Sequence, residues 1–305
     1  MATSTLKRSI KVVVSALMLL NGACAVRTDE VPPTDPAANS DACEESPLGC
    51  AKDESALGGP ALEARPDALD YVIHVGGVCS TSFTTGGGGK SFIGHPGKWP
   101  GFVSIDAPVN QLDSMATAVE DLTQVLDAFC TGESFCHLFG YSNGAAVISE
   151  TLSIHDQERW NVVWVLTTAG NEGGSELSES GVSGIGEMVG MSCGLAGTVG
   201  PSDHRSAWNH HDTGGALFYG MGGYQEYWYT GSFPDFFGDG ANDGIIAMHS
   251  SAGLAQAYHI PDDEPWMCWA EESYYANHRP AFDCHGFDAN HSDMKMLGIE
   301  KMGGL

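Results

Sequence analysis

Five residues constrain this chain more than any others: Gly140-Tyr141-Ser142-Asn143-Gly144. They follow an apolar run, Phe135-Cys136-His137-Leu138-Phe139, and precede Ala145-Ala146-Val147-Ile148. The pattern is a strand, a Gly-x-Ser-x-Gly turn and a helix start. A turn this sharp holds the serine in a strained, exposed conformation. It requires glycine at both ends, because the crossing strand and helix leave no room for side chains. A chain with 40 glycines in 305 residues produces such a pentapeptide by chance. The strand before it and the small-residue helix after it make it a signal of a serine nucleophile.

The surrounding pattern extends the same reading. Residues 71–75 (YVIHV) form a buried strand ended by Gly76-Gly77, and a polar Gly-rich loop follows. Residues 101–106 form a second strand. Met115, Val119, Leu122, Leu126 and Phe129 recur at helical spacing and lead into the strand before Ser142. A helix from about Ala145, a strand over 160–168 and another over 216–221 complete the alternation. Strands alternating with helices predict right-handed crossovers and a mostly parallel sheet, with ligands bound beyond the carboxyl ends of the strands. Ser142 and the loop after Val75 both fall at such ends.

A serine hydroxyl needs a base to take its proton and a carboxylate to orient that base. On a fold of this kind the chain order is serine, acid, histidine. The acid candidates are Asp239 and Asp243, in Gly238-Asp239-Gly240-Ala241-Asn242-Asp243-Gly244. The base candidates are His249, His259, His278, His285 and His291.

These motifs resemble those of the α/β-hydrolase superfamily, in particular bacterial lipases and esterases. Asn242-Asp243-Gly244-Ile245-Ile246 followed by Ser250-Ser251 is similar to the segment carrying the acid, and Asn290-His291-Ser292-Asp293 to the one carrying the histidine. The resemblance implies a mostly parallel central sheet flanked by helices, with a cap or lid insertion. It implies a catalytic Ser142, Asp243 and His291 that cleave carboxylic esters through an acyl-enzyme. It also implies an oxyanion hole from the backbone of Asn143 and of Gly77 or Val78. The alternative is a non-catalytic binding protein of the same fold, displayed on a surface. Three departures stand out. The usual His-Gly after the first strand reads His74-Val75-Gly76-Gly77. The Pro-His of a Pro-His-x-Gly-Ser stretch is absent from Thr168-Ala169-Gly170-Asn171-Glu172-Gly173-Gly174-Ser175. The interval from Asp243 to His291 carries an insertion with Trp266, Cys268, Trp269 and Cys284. No cofactor is implied: in calcium-dependent lipases one aspartate stands two residues after the histidine and a second precedes the catalytic acid, and here Asp293 fits the first place while no residue clearly fills the second.

Residues 170–214 interrupt the alternation and form either a lid with an apolar underside or a fixed cap, with Ile185, Met188, Val189, Met191, Leu195 and Val199 among glycines. His210-His211-Asp212 reads as a solvated loop rather than a metal site. Tyr224, Tyr227, Trp228 and Tyr229 line an acyl pocket or pack at an edge.

The N-terminus reads as an export signal over residues 1–25. Lys7, Arg8 and Lys11 precede an apolar stretch too short to span a bilayer. Ala23-x-Ala25 fits ordinary cleavage, whereas Leu20-Asn21-Gly22-Ala23-Cys24 resembles a lipobox that would anchor the protein through Cys24. Residues 26–66 read as an acidic disordered tether, and 67–305 as the catalytic domain. Cysteines 43, 50, 79, 130, 136, 193, 268 and 284 form an even set once Cys24 is set aside. In an exported chain that predicts disulfides, with Cys43–Cys50, Cys130–Cys136 and Cys268–Cys284 as plausible pairs. A formal charge of −26 repels nucleic acid and anionic membranes. The expected partner is an ester or lipid substrate.

Overall fold

A computed structural model describes residues 69–83, 101–155, 158–179, 193–207, 215–227, 240–251, 278–281 and 286–302. The segments read as export signal and tether, Asp239, His259, His285, and the expected Cys43–Cys50 and Cys268–Cys284 pairs lie outside these residues.

Among the described residues six strands form one sheet in the order β2-β1-β3-β4-β5-β6. They are β1 (Asp70–Val75), β2 (Phe102–Asp106), β3 (Phe135–Tyr141), β4 (Val162–Thr168), β5 (Leu217–Met221) and β6 (His278–Pro280). Every pairing is parallel. The apolar runs are near-continuous because both faces of the sheet are covered. On one face Ile105, Ile73, Leu138, Val165 and Phe218 sit side by side in register across five strands. Helices α1 (Met115–Phe129) and α2 (Asn143–Ile154) supply the residues packed with that row: Ala118, Leu122, Leu126, Val147 and Ile148. On the other face Val72, Phe139, Leu166 and Met221 pack against Met294, Ile299 and Met302 of the helix His291–Met302.

Local chemistry explains the boundaries. Ser114 caps α1, its Oγ accepting from the Thr117 N–H at 3.2 Å. Cys130 follows the helix end, and its disulfide to Cys136 closes the short link into β3, as the spacing predicts. α2 begins at Asn143, two residues earlier than its alanines suggest, because Ser142 is already the residue at which the backbone turns. β6 has no counterpart among the sequence expectations. It is three residues long and holds its place by stacking His278 on Phe218, with ring centroids 4.3 Å apart.

Short helices α3 (Glu176–Glu179) and α4 (Pro201–Ala207), with a 3-10 turn at Leu195–Thr198, occupy the described ends of the 170–214 insertion. Leu177, Leu195 and Val199 are buried there. Ile185, Met188, Val189 and Met191 lie outside the described residues, as does His210-His211-Asp212. A disulfide joins Cys193 to Cys79 in the loop after β1, across 114 residues of sequence. That pairing has no local signature. α5 (Met248–Ser251) and α6 (His291–Met302) complete the described helices. No helix among the described residues is long and apolar enough to cross a membrane.

Candidate active site

Ser142 ends β3 and starts α2 with φ 55° and ψ −128°. This region disfavours any side chain, and it persists only where the surroundings impose it. Three backbone bonds do so. The Ser142 N–H donates to Thr168 O at 3.1 Å, and the Ser142 carbonyl accepts from the N–H groups of Ala145 and Asn171, each at 3.1 Å. The flanking glycines are sterically required. A Cβ on Gly140 would lie 2.9 Å from the backbone N and Cα of Ala145, and one on Gly144 would strike the Val75 and Gly76 carbonyls.

Asp243 and His291 arrive from two further segments. The Asp243 carboxylate is fully buried. Its Oδ1 accepts from the Ile245 and Ile246 N–H groups at 3.0 and 2.8 Å. That leaves Oδ2 for His291 Nδ1, 2.8 Å away. The His291 N–H donates to the Asp243 carbonyl at 2.9 Å. Asn290 caps α6, its Oδ1 accepting from the Asp293 N–H at 3.1 Å. At the head of that helix His291 turns Nε2 to within 3.0 Å of Ser142 Oγ. The neutral tautomer that satisfies both contacts carries its proton on Nδ1, leaving Nε2 to accept from the serine. Tyr141 closes the back of the imidazole: its ring centroid lies 5.1 Å away, and its hydroxyl donates to His291 O at 3.2 Å. Burial, reinforced by the Asp243 carboxylate, pushes the Tyr141 phenol up, so it remains a donor.

The three residues singled out by motif are thus in one hydrogen-bonded line. The two other candidate bases among the described residues are engaged elsewhere. His249 Nε2 sits 2.8 Å from Glu176 Oε1, and His278 lies under Phe218. Gly77 abuts the serine, since a Cβ there would lie 3.0 Å from Ser142 Cβ and 3.3 Å from its Oγ. Asn143 opens α2, where N–H groups of the first turn lack intrahelical partners, and Val78 follows Gly77 in the same loop. Asp293 Oδ2 accepts from the Asn290 side chain at 2.8 Å. Among the described residues no group of three or more His, Cys, Asp or Glu side chains could hold a metal ion. The Tyr227 hydroxyl contacts Ser292 Oγ at 2.9 Å and Asn290 Oδ1 at 3.2 Å, so this tyrosine braces the start of α6. Trp228 and Tyr229 lie outside the described residues.

Sequence reasoning missed the buried polar residues behind the serine. In place of the absent Pro-His stand Asn171, whose N–H holds the Ser142 carbonyl, and Glu172. Glu172 is fully buried, and its Oε1 accepts from Thr167 Oγ1 at 2.9 Å. Burial raises its carboxyl to about 8, against smaller lowering effects of its own backbone N–H and of Thr167. The acid is therefore neutral at pH 7. Linkage gives a signed prediction. The unfolded chain releases this proton near the ordinary carboxyl value and the folded chain only near 8. Stability present below about pH 4.5 is thus lost progressively as pH rises to about 8. Glu172→Gln removes that loss. Denaturant unfolding should show the variant matching the native protein near pH 4.5 and exceeding it by pH 8, by on the order of 1.4 kcal/mol per unit of displacement. A difference that does not change with pH would refute a neutral Glu172.

No protein-family model matches the chain, and no curated protein matches it. Among solved structures it is similar to a metagenomic carboxyl esterase, with 13% identity over 81% of this chain and 80% of that one at a TM-score of 0.47. It is also similar to a mature lipase of Bacillus licheniformis, with 14% identity over 78% and 91% at a TM-score of 0.45. A phospholipase from Legionella pneumophila shares 11% identity over 60% of this chain and 44% of that one, at a TM-score of 0.42. The parallel sheet flanked by helices and the strand–Gly-x-Ser-x-Gly–helix turn are the α/β-hydrolase arrangement expected from the sequence.

Proposed function

We propose that this protein is an exported serine hydrolase that cleaves carboxylic esters through an acyl-enzyme. The observation that carries the reading is the buried line from Asp243 through His291 to Ser142, with contacts of 2.8 and 3.0 Å. It ends on a serine held in a strained backbone conformation. A fold that only bound a ligand would have no need to maintain both contacts and that strain together.

Ser142 Oγ attacks the ester carbonyl carbon while His291 Nε2 takes its proton. Asp243 stabilises the imidazolium and keeps the ring oriented. The carbonyl oxygen becomes an oxyanion, held by the Asn143 N–H and by an N–H of Gly77 or Val78. Collapse breaks the ester C–O bond, and the departing alcohol takes the proton from His291. A water molecule then repeats the sequence on the acyl-enzyme and releases the acid. No step runs through a metal or cofactor. Export is supported by the N-terminal signal pattern and by two disulfides, Cys79–Cys193 and Cys130–Cys136, of the kind that persist in oxidising compartments. Lipidation of Cys24 would keep the enzyme at the cell envelope.

The test is labelling of the mature protein by a fluorophosphonate, with detergent present to admit the probe beneath any lid, followed by peptide mapping. An adduct on Ser142 that disappears in His291→Ala is the expected result, and hydrolysis of p-nitrophenyl esters of graded chain length then defines the substrate. Absence of an adduct under every condition would discard the hydrolase reading.

A further inference from the structure

Both carbonyls of the turn that borders Ser142 are held by side chains. Gln111 Nε2 donates to Gly76 O, and Ser80 Oγ donates to Gly77 O at 2.6 Å. A trans peptide places its C=O and the following N–H on opposite sides of the bond, and no cis peptide occurs among the described residues. Fixing the Gly76 carbonyl therefore fixes the direction of the Gly77 N–H. Fixing the Gly77 carbonyl does the same for the Val78 N–H. Those are the two N–H groups of this loop assigned above to a developing oxyanion.

Gln111 is itself oriented by the nucleophile turn. Its Oε1 accepts from Asn143 Nδ2 at 3.0 Å, and Asn143 Oδ1 accepts from Asn171 Nδ2 at 3.1 Å. Gln111, Asn143 and Asn171 are all buried. Each amide donates in the same direction, from Asn171 to Asn143 to Gln111 to Gly76, so no amide in the relay can flip without breaking two bonds. The same Asn171 donates its backbone N–H to the Ser142 carbonyl. The relay thus ties the carbonyl of the serine to the peptide that would face the oxyanion. The Gln111 backbone is anchored separately, its N–H on Ser80 O at 2.8 Å and its carbonyl accepting from the Cys79 N–H at 3.0 Å. Loss of the side chain leaves that two-bond ladder and the Cys79–Cys193 disulfide in place.

We infer that Gln111 is a positioning residue for the oxyanion-binding loop, acting through the Gly76 carbonyl and keyed to Ser142 by Asn143 and Asn171. The inference rests on the ester-hydrolase reading. Its test uses two variants of matched length. Gln111→Glu keeps an acceptor for Asn143; protonated by burial, its carboxyl can still donate to the Gly76 carbonyl, and ionised it loses that donor and sets a charge against the carbonyl. Gln111→Met removes both bonds. Rates are expressed per reactive serine, titrated with the fluorophosphonate, so that misfolded protein does not enter. Expected for Gln111→Met at every pH, and for Gln111→Glu once rising pH has ionised its carboxyl, is a roughly 10- to 100-fold fall in kcat with KM within about threefold, since small misplacements at a reacting centre cost rate rather than binding. Affinity for an alkyl trifluoromethyl ketone, which forms an oxyanion on the serine, should fall by the same factor. Should Gln111→Met not fold, Gln111→Glu carries the test. Unchanged kcat and ketone affinity per reactive serine, with only the thermal midpoint lowered, would overturn the proposal and leave Gln111 a structural residue. A wild-type protein that neither labels nor hydrolyses esters would instead fail the parent reading, whatever Gln111 does.

Discussion

His291→Ala is expected to abolish ester turnover, lowering kcat by about six orders of magnitude with substrate binding little changed. The proton acceptor beside the serine hydroxyl among the described residues is His291 Nε2, at 3.0 Å. Among the described histidines His249 and His278 are held elsewhere by Glu176 and Phe218. Without the imidazole, attack must begin from a protonated hydroxyl and expel an alkoxide with no acid to receive it. Ser142→Ala should lose as much, and the double variant no more than either single one, because the residues act as one unit. Initial rates on a soluble p-nitrophenyl ester, with circular dichroism to confirm folding, are the measurement. A His291→Ala protein retaining a tenth of the native rate would remove His291 from the mechanism and turn attention to His285.

Asp243→Asn should cost about four orders of magnitude in kcat, and for a reason of orientation rather than charge alone. The carboxylate has divided duties: Oδ1 accepts two backbone N–H groups, from Ile245 and Ile246, and Oδ2 faces His291 Nδ1. An asparagine must keep its oxygen toward the two N–H donors. Its NH2 is then turned on Nδ1, which can no longer carry a proton there. The imidazole adopts the other tautomer, with its N–H aimed at Ser142 Oγ and no lone pair to accept from it. The fold should survive, since the two backbone bonds are retained. A near-native rate would instead transfer the acid role to Asp239.

The strands, the turn and the three motif residues were legible in the sequence because each leaves a local mark. Parallel strands covered on both faces read as apolar runs, and the tight turn after β3 demands glycine at 140 and 144. β6 was not legible: three residues, His278–Pro280, give no periodicity, and the strand exists because β5 offers it an edge. The Cys79–Cys193 bond, with 114 residues between its ends, obeys no spacing rule. Gln111 belongs to no motif at all. Its meaning comes from a carbonyl 35 positions away and an amide 32 positions away. Glu172 was read only as part of a stretch that departed from expectation, whereas its full burial is a property of the assembled protein. Local chemistry announces itself in local pattern. Support that acts through space does not.

On the hydrolase reading the base is His291, which heads α6, 149 residues after Ser142 and 48 after Asp243. During synthesis, therefore, a chain grown as far as α5 already holds the nucleophile, its strained turn and the carboxylate, yet has no proton acceptor. On the hydrolase reading it is inert. Reactivity begins only when α6 docks, with Thr168 Oγ1 on the Met294 carbonyl at 2.8 Å and Gly298 drawn close against β4. Chain order thereby acts as a timing device. On that reading, ribosome-bound chains and products stopped short of residue 291 cannot attack the esters of the cell that makes them.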